Sequence, residues 1–173
     1  MAARPFLVNV ADLVHRPGAH RRERLSGRLS GLRVVAASVP PDSEVVVDTL
    51  LEWVTDGVLA TGTASARWVG ECRRCLGPVG GEAAVDFREL FSPAVDEGDG
   101  YPFRGDHIDL EPLAREAVLL ELPLAPLCAD DCQGLCPTCG ADLNQGACQC
   151  APEVVDPRWA ALDALRGDPR PAD

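Results

Sequence analysis

Residues 128–150 read CADDCQGLCPTCGADLNQGACQC, and they hold six of the chain's eight cysteines. The other two lie in ECRRC at 71–75. Three chemistries use cysteines at such spacings: disulfides, thiol redox and metal binding. Disulfides need an oxidising compartment. The N-terminus, MAARPFLVNVADLVHRPG, has no uninterrupted apolar core after a basic start, so it does not read as a secretory leader. The expected location is the cytoplasm, where thiols stay reduced. A redox C-x-x-C opens a helix, whose N-terminal dipole lowers a thiol pKa. Cys72-Arg-Arg-Cys75 runs instead into Leu76-Gly77-Pro78, a turn sequence.

Zinc suits the pattern best. It takes four soft ligands in a tetrahedron, and cysteine pairs on tight turns supply two at a time. Cys136-Pro-Thr-Cys139-Gly140 reads as one such knuckle, with Gly140 freeing the backbone after the second sulfur. Asn144 and Gly146 can turn the chain back, so that Cys148 and Cys150 complete a local site. Cys72, Cys75, Cys128 and Cys132 then remain for a second site spanning more than fifty residues. A rival pairing gives Cys128, Cys132, Cys136 and Cys139 one shared metal. A catalytic zinc keeps a position for water, usually beside a His or carboxylate ligand. Four thiolates fill the shell, and His15, His20 and His107 show no H-x-x-x-H spacing. Both sites are therefore expected to be structural, with two Zn²⁺ per chain. No phosphate-binding P-loop, nucleophile elbow or dinucleotide fingerprint occurs.

The rest of the chain must position these sulfurs. It has 173 residues, 46% of them apolar, enough to bury a core without cysteine staples. The net charge of −11 is uneven. Residues 1–33 carry seven Arg against Asp12 and Glu23, a net of +5; the remainder carries nine Arg against 25 acids, a net of −16. There is no Lys, which points to a GC-rich coding bias. Arg16, Arg21, Arg22, Arg24, Arg28 and Arg33 are the candidates for contact with a polyanion such as RNA. The plainer reading of the same stretch is a solvated, Arg-rich surface.

The fold class expected is α+β: an antiparallel β-meander packed with one or two helices, plus a small cysteine-rich zinc module. FLVNVADLV (6–14) has a β-rich start, and 15–34 reads as a basic loop leading into a short strand. EVVVDTLLEWV (44–54) alternates, with Val45, Val47, Thr49, Leu51 and Trp53 on one side. Asp56-Gly57 signals a hairpin, VLATGTASARWVGEC (58–72) returns, 73–81 turns, and EAAVDFRELF (82–91) is the third strand. The small residues of the second strand suggest close packing or a bulge. Residues 92–106, rich in acid, Gly and Pro, read as a loop. A helix follows over about 110–122, with Asp109 as its N-cap and Leu110, Leu113, Ala114, Ala117 and Val118 on its apolar face. DPRWAALDALRG (156–167) signals a last helix, buried through Trp159, Leu162 and Leu165. The expected division is a sheet domain over 1–127, a cysteine-rich module with the last helix over 128–167, and a tail over 168–173.

The order ECRRCL, LELPLAPLC and C-x-x-x-C-x-G-L-C-P-x-C-G-x-x-L-N-x-x-x-C-x-C resembles the YceD, or large ribosomal RNA subunit accumulation protein, family. The likeness runs from about residue 6 to 165 and is closest to the Gram-positive or actinobacterial form, with its full cysteine tail. It implies a bacterial cytoplasmic protein involved in synthesis, processing or stability of large-subunit (23S) ribosomal RNA, and it carries over no established enzymatic activity. Some members lack the tail quartet. The resemblance then implies that the 136–150 site is an accessory of this branch and the site joining 72–75 to 128–132 the more general feature.

The leading expectation is thus a non-enzymatic ribosome-biogenesis factor. Its partners would be a large-subunit precursor, its RNA or a ribosomal protein, with neither a membrane nor a small-molecule substrate. The −16 body argues against a broad RNA footprint and suits a basic ribosomal protein. The alternative is a thiol-redox or metal-handling protein working through the C-x-x-C pairs.

Overall fold

The computed structural model describes residues 4–55, 57–93, 100–150 and 158. The expected helix over 156–167 lies outside the described residues, apart from Arg158.

Among the described residues, eight strands and one α-helix form in chain order: β1 (Leu7–Asn9), β2 (His20–Gly27), β3 (Ala37–Ser38), β4 (Val45–Val54), β5 (Gly57–Glu71), β6 (Pro78–Ser92), β7 (Tyr101–Arg104), β8 (His107–Asp109) and α1 (Glu111–Glu121). One sheet runs β1-β8-β7-β6-β5-β4-β2, with β3 paired to β5 off this path. The β4–β5–β6 meander is antiparallel as expected. The whole sheet is mixed, because β6 and β7 pair in parallel through Phe91–Tyr101 and Ser92–Pro102.

The meander follows from alternation. Val45, Val47, Thr49, Leu51 and Trp53 are all buried, while the residues between them are half-exposed. Thr49 is the polar member of that face, and its hydroxyl donates to the Thr61 carbonyl at 3.3 Å. β5 answers with Val58, Ala60, Ala64 and Ala66, and β6 with Ala83, Phe87 and Phe91. α1 packs on β5 and β6, burying Leu113, Ala114, Ala117 and Val118. Covering a side chain such as Phe91 contributes about 2–3 kcal/mol. Gly62 stands opposite Thr49, and a Cβ there would fall 2.0 Å from the Asp48 carbonyl oxygen. The small residues of β5 therefore serve close packing between strands. The Val54–Gly57 register puts Gly57, expected in the hairpin turn, already inside β5; Asp56, the other residue of that expected turn, lies outside the described residues.

Five expectations shift. The basic stretch 15–34, read as a loop leading into a short strand, holds an eight-residue strand in its middle, and His20–Gly27 pairs along its whole length with β4 as an edge strand. Its alternation is of charge, which hides it from a search for apolar period and suits an edge that must not recruit other chains. Residues 101–104, read as loop, form β7. Residues 107–109, near the expected helix start, form β8 against β1. Leu110 occupies the N-cap position, but the Asp109 carboxylate still accepts from the Glu111 amide at 3.1 Å. β6 begins at Pro78, inside the expected turn. Among the described residues no helix is long and apolar enough to cross a membrane.

Candidate metal centres

The β5–β6 connection presents the first cysteine pair. Cys72 directly follows β5 and is fully buried. Its amide donates to the Gly77 carbonyl at 2.8 Å, and the Leu76 amide donates back to the Cys72 carbonyl at 2.9 Å. The same loop recurs at 136–140, where the Gly140 amide donates to the Cys136 carbonyl at 2.9 Å. In each knuckle the residue after the second cysteine is left-handed, Gly140 at φ 73° and Leu76 at φ 59°. Glycine takes that conformation freely; leucine does not.

All eight cysteines are free thiols, and the structure gathers their sulfurs in two groups. Cys72, Cys75, Cys128 and Cys132 form the first, and Cys136, Cys139, Cys148 and Cys150 the second, with the sulfurs of each within 4.8 Å of one another. In the first, Cys72 and Cys132 sulfurs are 3.8 Å apart, and those of Cys75 and Cys128 are 3.7 Å apart. A tetrahedral ion with metal–sulfur bonds of about 2.3 Å has an S–S edge of about 3.8 Å. The donor set and its spacing thus fit a tetrahedral, thiophilic ion. In the first group Cys72 and Cys132 are buried, whereas Cys128 is exposed. In the second group Cys136 is buried and Cys139 is exposed.

The thiols of each quartet are driven apart in acidity. The Cys75 amide, aided by those of Cys128 and Arg74, points at the Cys72 sulfur and holds its pKa down to about 6 despite burial. The Cys139 and Thr138 amides do the same for Cys136, also to about 6. Cys128 is pushed up to about 12, first by Cys132 and then by Cys75 and Cys72. Cys150 is likewise pushed up to about 12, first by Cys139. Each quartet therefore keeps one sulfur ready as a thiolate and resists further ionisation until a cation offsets the crowded charge.

Hydrogen bonds around the sulfurs were not foreseen from spacing. The Arg74 guanidinium donates to the Cys132 carbonyl at 2.9 Å and the Asp130 carbonyl at 3.0 Å, while its own carbonyl accepts from Leu135 at 3.2 Å. The Arg73 amide donates to the Pro126 carbonyl at 2.9 Å, tying the same turn to the segment after α1. The signal for Arg74 was present in CRRC, but only the fold shows which of the two arginines turns inward to the loop. Asn144, read as a turn residue, sends its Nδ2 to the Cys132 sulfur at 3.5 Å.

The six candidate arginines do not act alike. Arg21 is engaged, with Nη1 on Asp12 at 2.6 Å, Nη2 on the Asn9 carbonyl at 2.7 Å and Nε near Glu23 at 2.7 Å. That last approach is an ion pair by distance but is not aligned as a hydrogen bond. Arg24 lies 3.2 Å from Asp48 across the β2–β4 pair. Arg16, Arg22, Arg28 and Arg33 are exposed. Arg22 and Arg24 share the outer face of β2, and Arg21 faces the other way.

A mixed sheet with one described α-helix and two four-cysteine clusters defines a small β-rich protein whose sulfurs could hold metal ions. The chain belongs to the YceD family: the family model described as large ribosomal RNA subunit accumulation protein YceD matches residues 60–166. It is 40% identical over 185 residues to an uncharacterized protein of Mycobacterium tuberculosis, covering 96% of this chain and 87% of that one. YlbN of Bacillus subtilis, also uncharacterized, is 30% identical over 108 residues, covering 60% of this chain and 63% of its own. A chloroplastic large ribosomal RNA subunit accumulation protein YCED homolog 1 of Arabidopsis thaliana is 35% identical over 66 residues, or 38% of this chain and 21% of that protein. No solved structure matches the chain.

Proposed function

We propose that this protein is a non-enzymatic, cytoplasmic factor in ribosome biogenesis, acting on the large-subunit precursor so that its 23S ribosomal RNA accumulates. The observation that carries the reading is membership of a family described by large ribosomal RNA subunit accumulation. The site chemistry agrees with it. Each cluster offers four sulfurs, and four thiolates leave a zinc ion no open position for water. Zinc at both clusters is thus structural: it fixes the β5–β6 turn and the chain after α1 as one rigid surface. The contact is with ribosomal RNA or a basic ribosomal protein. The acidic balance of −11 favours the protein, while exposed Arg16, Arg22, Arg28 and Arg33 offer a limited contact with phosphate.

The test is capture of the tagged full chain from growing bacteria, with bound RNA and proteins identified. Enrichment of large-subunit precursors over mature ribosomes supports the proposal. Absence of both precursor RNA and ribosomal proteins at moderate salt overturns it. The thiol-redox or metal-handling alternative predicts rapid alkylation of Cys72 or Cys75 in metal-loaded protein. Protection of all eight cysteines, with two zinc per chain, rules that alternative out.

A further inference from the structure

The two quartets meet at one side chain. Asn144 lies in the loop between Cys139 and Cys148, which closes the second quartet, yet its Nδ2 points at Cys132 of the first, 3.5 Å away. The orientation of the amide is fixed from its other end. The Gln133 N–H donates to Asn144 Oδ1 at 2.8 Å, so the NH₂ group must face the sulfur and Asp142. Asp142 Oδ1 accepts from that NH₂ at 2.6 Å and from the Asn144 amide at 3.0 Å. The loop is also latched to the turn between the quartets: the Leu143 amide donates to the Gly134 carbonyl at 2.9 Å, and the Cys136 amide to the Ala141 carbonyl at 2.8 Å.

We infer that Asn144 is a positioning residue that couples the two metal sites, so that an ion in either quartet tightens the hold of the other. This rests on the reading that both quartets bind metal. An N–H donor aimed at a ligating sulfur draws off part of its charge and fixes its direction. Asn144 can do this for Cys132 only while the 139–148 loop is folded, and the second quartet's ion closes that loop. By linkage, the benefit runs equally in both directions.

The test uses the full chain loaded with Zn²⁺, or with Co²⁺ for its thiolate absorption bands. In the parent, two ions per chain are expected, with Cys132 slow to alkylate. N144A should still load two ions. One should leave to a chelator about tenfold faster or more, and mass spectrometry should place the new reactivity at Cys132 rather than Cys148. N144D keeps the size and the bond from Gln133 but presents an acceptor to the sulfur, so it should release that ion at least as fast and shift the Co²⁺–thiolate bands. A C148S/C150S chain, lacking the second quartet, should hold its remaining ion more weakly than the parent does. The inference is overturned if Cys132 reactivity and ion release in N144A and N144D match the parent, or if the C148S/C150S chain holds its ion as tightly as before. A parent that binds two ions while these variants stay silent overturns the coupling alone. A parent that binds none overturns the metal reading and the coupling together.

Discussion

The sulfurs of Cys75 and Cys128 lie 3.7 Å apart although 53 positions separate them in the chain. No other quartet member joins them covalently, so their approach is maintained by the turn after β5 and by the segment that leaves α1. Replacing Cys75 or Cys128 by Ser should lower bound zinc from two ions per chain to one. The quartet at 136–150 should keep its ion, though less tightly, because its four ligands and its knuckle are local. Elemental analysis of the purified variants checks this, and loss of both ions would contradict local closure of that quartet.

Metal binding should depend on pH with a definite sign. Ligating sulfurs must be thiolates, so protons compete with the ion and affinity rises with pH. Cys72 and Cys136 are already held near 6, whereas Cys128 and Cys150 stand near 12 without metal. Loading the metal-free protein at pH 7.5 should therefore release protons from the high-pKa sulfurs, measurable with an indicator dye in weak buffer. Titration toward acid should expel the ions as pH falls through about 6 and below, followed by Co²⁺ absorbance.

The two arginines of ECRRC should separate cleanly. R74A removes donors to the Cys132 and Asp130 carbonyls and should cost about 0.5–1.5 kcal/mol, together with faster ion release from the first quartet. R73A keeps the amide that bonds Pro126 and should leave both quantities unchanged. Thermal unfolding and chelator competition on the two variants decide it.

Gly62 and Gly105 test different kinds of constraint. G62A drives a Cβ into the Asp48 carbonyl at the β4–β5 pair and should destabilise by about 1–3 kcal/mol. Gly105 has φ 60° with open space around its Cβ position, so G105A should cost only the left-handed backbone penalty, about 1–2 kcal/mol. G105N should recover part of that, because asparagine visits this region more readily. Denaturant unfolding of the three proteins gives the ranking.

Leu76 adopts the left-handed conformation that Gly140 adopts in the second knuckle, and the residue is 61% exposed. With little burial to lose, L76G should relieve about 1–2 kcal/mol of strain and give back about 0.5–1 kcal/mol in unfolded-chain entropy. A small net rise in melting temperature is expected, read by scanning calorimetry.

The parts of the fold legible in sequence are those where burial is one-sided and long. Val45 to Trp53 alternates because one face meets the core, and Leu113 to Val118 repeats because one side of the helix packs on β5 and β6. β2 was hidden because the half-buried positions of one of its faces include Arg21 and Glu23, an ion pair by distance, instead of an apolar period. β1, β7 and β8 run for only three or four residues, too short for any period to register. The parallel pairing of β6 with β7 depends on a partner chosen by three-dimensional closure, which no local pattern encodes. At the clusters, cysteine spacing names the donors because turn geometry is local. Arg74 and Asn144 escape that reading because their partners are a carbonyl and a sulfur 58 and 12 positions away.

The first quartet also makes a ring of the chain. Everything from Cys75 to Cys128, a span of 53 positions, hangs between two ends that one ion would clasp. That ring contains β6, β7 and β8, three of the sheet's eight strands, and α1, the helix that packs on β5 and β6. A permanent cross-link of that span would restrict the unfolded chain by about 4 kcal/mol. A metal clasp would supply a comparable restriction that opens when the ion is withdrawn, and would tie the holding of these strands and their helix to the metal supply of the cell that makes the protein.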